Sequence, residues 1–186
     1  MPNQFSSPDP LGIRLSGRGG QGIILGGVII AQAAMYDGLF VVHTQSYGPE
    51  ARLGSSKSEV VVSHFEISFP EVVNADVFLC LSREAYLKYH RHVSTSAVSI
   101  IDDLIATEDS LPNEIFLPLR RTARSLNNEM TANIVGIGAL IALAHAAQPV
   151  SVEKAIREWV KPQFLDVNLM ALEAGLSLIH HKSVRG

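Results

Sequence analysis

The chain opens with about ten polar, proline-containing residues, MPNQFSSPDP, and then turns to regular alternation. Residues 11–17, LGIRLSG, put an apolar side chain on every second position, as a half-buried strand does. Residues 21–35 then read as a helix that is apolar on most faces, stopped by the Asp37–Gly38 pair. Residues 39–45 (LFVVHTQ) predict a second strand, and the polar stretch SYGPEARLGSS a loop after it. Residues 58–67 form a long β-branched third strand and residues 75–82 (ADVFLCLS) a fourth, with a short helix at 83–89. Two further strands fall at 97–102 and 114–119.

From residue 129 onward the period lengthens. Residues 130–147 predict a helix apolar nearly all round, hence buried. Residues 151–160 predict another, opened by Ser151 and carrying Trp159, and residues 164–180 the last. Strands alternating with helices, closed by a helical run, predict an α/β fold. The expectation is a Rossmann-like three-layer sandwich with a largely parallel sheet and a helical C-terminal layer. Residues 1–10 are expected to form a flexible tail and residues 11–186 a single domain.

Composition narrows the chemistry. Apolar residues make up 47% and charged residues 18%, with a net charge of −3, so few charges are left to cover a surface. That balance points to a protein partner, and the absence of a long basic run argues against nucleic acid. The N-terminus has neither the basic nor the apolar region of a secretory signal. The oiliest run, 134–144, falls short of the roughly 20 residues that cross a bilayer. The expectation is a cytoplasmic protein without membrane contact. Cys80 is the one cysteine, so no internal disulfide forms, and no zinc or iron–sulfur site is built from this chain's cysteines alone. Within VFLCLS it reads as a core residue. His90 and His92 are two apart and share no helical face, and Asp102–Asp103 reads as a turn or helix cap. Asn133 and Asn168, in otherwise apolar helices, are expected to bond backbone or a neighbouring helix.

The densest signal is SGRGGQGIILGG, residues 16–27, with six glycines in twelve positions. Gly17, Gly19 and Gly22 fit the G-x-G-x-x-G spacing between a strand and a helix, where amides point outward and favour an anion. Arg18 adds a positive charge, and Gly20 and Gln21 complete the turn. The acid that should end the second strand and hold a ribose diol is missing, since that strand ends in VHTQSY. A dinucleotide site, a packing device continued by Gly26 and Gly27, and a site for another ligand all stay open. The loop with Tyr47, Glu50, Arg52 and Lys57 leaves the second strand on the rim expected for the glycine loop.

GRGGQGIILGG together with AAMYDGLFVVHTQSYGPEARLGSSKSEVVVS resembles the γ subunit of the thiamine-diphosphate-dependent 2-oxoacid:ferredoxin oxidoreductases. The SYGPEAR loop is most similar to the 2-oxoglutarate branch of that family. The resemblance continues through ISFPEVVNADVFLCLS, ANIVGIGAL and VNLMALEAG, and so covers nearly the whole chain. One departure is Leu53, which stands where the family usually has glycine. The resemblance implies a subunit of an enzyme that converts 2-oxoglutarate and coenzyme A into succinyl-CoA and CO2 and reduces ferredoxin. The sister substrates are pyruvate, indolepyruvate and branched-chain oxoacids; a stand-alone nucleotide-binding module is the reading outside this class. The resemblance further implies α and β partner subunits, with a ferredoxin-like δ subunit in some enzymes. Thiamine diphosphate, magnesium and the clusters then belong to those partners, because this chain has no G-D-G…N segment. No catalytic or metal-ligating residue is expected here. Coenzyme A is the expected shared ligand, bordered by Gly17, Arg18, Gly19, Gly20, Gln21 and Gly22 with Tyr47, Glu50 and Arg52.

Overall fold

The computed structural model describes residues 8–46, 55–105, 107–108 and 110–183. Six strands form one sheet: β1 (Leu11–Arg18), β2 (Phe40–Ser46), β3 (Ser55–Ser63), β4 (Ala75–Cys80), β5 (Val93–Asp102) and β6 (Glu114–Leu117). Their order across the sheet is β2-β3-β1-β4-β5-β6. β1, β4, β5 and β6 pair in parallel, whereas β3 runs antiparallel to both neighbours. The expected largely parallel sheet is therefore present, with one reversed strand inserted beside β1.

Alternation along the strands sorts the two faces. Ile13, Leu15, Val60, Val62, Val77, Leu79 and Ile100 turn to one side and enter the main core. Against them pack α1 (Ile23–Tyr36), α4 (Ala132–Ala144) and, further out, α5 (Pro149–Trp159) and α6 (Leu165–Ser183). The opposite side is thinner. There Phe78, Cys80 and Ile101 meet Ala85 and Tyr86 of α2 (Arg83–Tyr89). Arg14 is buried on this face, where it bonds Glu59 at 2.7 Å and donates to the carbonyls of His92 and Val72. A strand-centre arginine thus ties three chain segments across one face of the sheet.

Two helix starts differ from the sequence pattern for one reason: the cap comes from elsewhere in the chain. Ser151 does not open α5. The helix starts at Pro149, whose missing N–H costs nothing at a first position, and the Gln148 amide donates to Asp37 at 2.6 Å. Ser151 lies inside the first turn and donates its hydroxyl to the same carboxylate. The short helix α3 (Leu119–Ser125), which the pattern did not predict, has no cap of its own. Its Arg120 amide donates to Asp102 at 2.7 Å, across from the end of β5. Asp102 is thus a helix cap, as its sequence context suggested.

Candidate functional site

The glycine turn joins β1 to α1 at the carboxyl rim of the parallel strands, and its backbone explains the composition. Gly20 and Gly22 have φ of +88° and +68°, in the left-handed region where side chains are strained. At Gly20 a Cβ would meet nothing within 4 Å, so only conformation demands glycine there. At Gly22 a Cβ would stand 2.5 Å from the Asn133 side chain, whose amide donates to the Gly22 carbonyl at 3.0 Å. Gly26 and Gly27 are packing glycines: a Cβ would strike Leu15 at 2.9 Å and the Ser58 hydroxyl at 2.0 Å.

Gln21 holds the turn in place. Its side-chain oxygen accepts from the Arg18 amide at 2.6 Å, and its side-chain nitrogen donates to the Leu81 carbonyl at 3.2 Å, past the end of β4. The Gln21 amide donates to the Arg18 carbonyl. The amides of Gly19, Gly20 and Gly22 have no hydrogen-bond partner among the described residues. Of the amides expected to meet an anion, two are therefore spent inside the turn and three remain. Arg18 reaches sideways and pairs with Glu84 at 2.5 Å, both side chains exposed. The Glu84 carboxyl is held below the usual range by its own backbone amide and by Arg18.

The second loop is placed by register. Arg18 lies opposite Ser55 and Ser46 opposite Lys57, so β2 ends and β3 begins on the rim where β1 ends. The described ends of β2 and β3 thus lie on the rim of the glycine turn, where β1 and β2 are separated by an antiparallel strand rather than being neighbours. Tyr47, Glu50 and Arg52 lie outside the described residues, as does Leu53. Lys57 lies within β3 and pairs with Glu59 at 2.8 Å, away from the turn.

Two cavities flank the glycine turn. One, of about 450 Å³, lies at the start of α1 and is mostly apolar, lined by Leu25, Met130, Trp159 and Phe164 with Asn133 and Lys161. The other, of about 250 Å³, lies between the ends of β1 and β4 and is lined by Arg18, Gln21, Ser82, Arg83, Glu84 and Arg120. The chain runs from β1 to one side of the sheet and crosses to the other at β4, so this crevice is the topological switch point. Sequence reasoning missed Arg83, Glu84 and Arg120. The available signal was that LSRE follows an apolar strand, on the rim already assigned to the glycine loop.

The remaining candidates resolve into structural roles. Cys80 is buried, and burial pushes its thiol up to about 12, so it is protonated and inert at neutral pH. His90 is buried and stacks on Tyr86 with ring centroids 4.3 Å apart. Asn168 donates to the Phe164 carbonyl at 2.7 Å. Among the described residues no group of three or more His, Cys, Asp or Glu is arranged to hold a metal ion, and no helix is long and apolar enough to cross a membrane.

Comparison with known proteins agrees with this architecture. Residues 12–178 match the family described as pyruvate ferredoxin/flavodoxin oxidoreductase. The chain is 44% identical to a 2-oxoglutarate synthase subunit, KorC, of Methanocaldococcus jannaschii, over 88% of this chain and 90% of that one. It is 29% identical to a ketoisovalerate oxidoreductase subunit, VorA, of Methanothermobacter thermautotrophicus, over 91% of this chain and 38% of that one. Among solved structures, the gamma subunit of a keto/oxoacid ferredoxin oxidoreductase from Geobacter sulfurreducens superposes with a TM-score of 0.80 at 37% identity. That match covers 90% of this chain and 96% of the other.

Proposed function

The chain belongs to the pyruvate ferredoxin/flavodoxin oxidoreductase family as a gamma subunit, and from that premise we propose that it serves a 2-oxoglutarate:ferredoxin oxidoreductase. The reaction is 2-oxoglutarate + coenzyme A + two oxidised ferredoxins → succinyl-CoA + CO2 + two reduced ferredoxins + H⁺. The observation that carries the choice of oxoacid is the identity of 44% to a 2-oxoglutarate synthase subunit, against 29% to a ketoisovalerate enzyme subunit. Thiamine diphosphate does not fit this chain, which has no G-D-G…N segment, so no step on that cofactor is assigned to its residues.

The chain's own contribution is to hold coenzyme A by its phosphates. The free amides of Gly19, Gly20 and Gly22, at the start of a 14-residue helix, favour an anion. Gly17 and Gln21 set the turn's shape, and we propose Tyr47, Glu50 and Arg52, which lie outside the described residues, as further contributors to the same ligand. The missing acid at the end of β2 supports coenzyme A over a dinucleotide, because no carboxylate stands there to hold the ribose diol.

The test is to purify the assembled complex and measure oxoacid-dependent ferredoxin reduction. We expect 2-oxoglutarate to exceed pyruvate, indolepyruvate and 2-ketoisovalerate in kcat/KM by at least about tenfold, as about 1.4 kcal/mol of discrimination provides. In the same assay, Gly20→Ala strains the turn by about 1–2 kcal/mol without a clash and should raise the KM for coenzyme A several-fold. A preference for another oxoacid would overturn the substrate reading. An unchanged KM for coenzyme A would reduce the glycine turn to a packing device.

A further inference from the structure

The switch-point crevice holds more positive charge than the fold requires. Three arginines line it, Arg18, Arg83 and Arg120, against the single carboxylate of Glu84. They differ in how they are held. Arg120 is fixed from behind by Asp102, a fully buried carboxylate that accepts from both its amide (2.7 Å) and its side-chain Nε (2.8 Å). Those bonds leave the two terminal nitrogens of the guanidinium without a partner among the described residues. Arg83 is exposed and has no ion partner among the described residues. Arg18 is occupied by Glu84 at 2.5 Å, across the mouth of the crevice.

We propose that this crevice is a phosphoryl-binding site, in which Glu84 is a built-in competitor that an incoming phosphate displaces from Arg18. A carboxylate engages one guanidinium fork, whereas a tetrahedral phosphate dianion accepts from two or three at once, and three arginines line this one crevice. The volume of about 250 Å³ lies below the range of about 300–1,000 Å³ typical of pockets that enclose a whole small molecule. It suits one phosphate or a diphosphate, either free or as the charged end of a larger ligand lying outside. The crevice adjoins the glycine turn through Arg18 and Gln21, so a coenzyme A diphosphate on the turn would leave its 3′-phosphate within reach of the arginines. That link rests on the function proposed above; the anion site does not.

The competitor role gives a test with an unusual sign. Glu84 and Arg83 are exposed, so Glu84→Gln and Arg83→Gln are expected to fold and assemble. The assembled complex and both variants are titrated by calorimetry with inorganic pyrophosphate, coenzyme A and 3′-dephospho-coenzyme A. Glu84→Gln should tighten pyrophosphate binding about three- to tenfold, and Arg83→Gln should weaken it about tenfold, with both effects shrinking at high salt. If coenzyme A follows the same pattern and its dephospho form does not, the 3′-phosphate occupies the crevice. If only pyrophosphate responds, the crevice takes a free anion and coenzyme A anchors elsewhere, so the link to it is overturned while the anion site stands. Should neither substitution move the affinity of any probe, Glu84 is no competitor and the crevice is no anion site. The oxoacid assay above is read independently of every one of these results.

Discussion

At Gly27 the absence of a side chain makes room for another. Its would-be Cβ lies 2.8 Å from the His43 ring and 2.0 Å from the Ser58 hydroxyl, which sits 2.8 Å from that ring. The imidazole is thereby half-buried between α1 and the sheet, and burial pushes its pKa below the ordinary 6.5. A base whose folded pKa is lowered stays neutral in the fold while the unfolded chain takes up a proton. The stability is thus present in full above pH 6.5 and is lost as pH falls through that value toward the lower folded pKa. Thermal melts of wild type and His43→Gln between pH 8 and pH 5 should differ in slope, by up to about 1.4 kcal/mol per pH unit from this one group. Parallel curves would mean that His43 is protonated equally well in both states.

Between elements, α4 and α6 approach backbone to backbone at two glycines. A Cβ on Gly138 would lie 2.4 Å from the Leu172 carbonyl oxygen, and one on Gly175 would lie 2.1 Å from that of Val135. These neighbours are backbone and cannot rotate away, so a methyl group must push the helices apart. Gly136 differs, because its would-be Cβ meets the Leu79 side chain at 2.8 Å, which can shift its rotamer. Gly138→Ala and Gly175→Ala should each cost about 2–3 kcal/mol or more in urea unfolding, and Gly136→Ala about 1 kcal/mol. Equal losses at the three positions would show that the helix pair yields as readily as a side chain.

Across the whole molecule, the two faces of the sheet are unequally covered. Five helices, α1 and α3 to α6, contribute to the main core, whereas α2 and the segment after β3 cover only part of the other face. On and around that thinner side Phe65, Phe69, Val73 and Leu87 are exposed, at 59–73% of their full accessibility. Exposed polar residues, among them Glu66, Glu71 and Lys88, are interspersed with them. A subunit of a larger enzyme is expected to lose such surface on assembly. Expressed alone, the chain should self-associate in size-exclusion chromatography, and co-expressed with its larger subunits it should elute as one defined complex. A monodisperse monomer at millimolar concentration would show that the exposed apolar side chains need no partner.

Period and local chemistry in the sequence were enough to place most elements, though not the short helix α3 or every boundary. Alternation at Leu11, Ile13 and Leu15 placed β1, the all-round apolar run placed α4, and glycine spacing placed the turn between β1 and α1. For the site, the sequence placed the glycine turn after β1, and register puts the ends of β2 and β3 on the same rim. Tertiary structure decided which strands are neighbours and in what direction, because a β-branched run carries the same pattern whether parallel or antiparallel; β3 shows this beside β1. It also decided every contact made between distant positions: Asp37 under α5, Asp102 under α3, Asn133 against Gly22 and Arg18 with Glu84. A hydrogen bond between residues 66 or 111 positions apart leaves no local trace, since each partner alone looks like an ordinary polar residue at an element's end. The arginine-lined crevice is made of such contacts, and it exists only once four strand ends are brought to one rim.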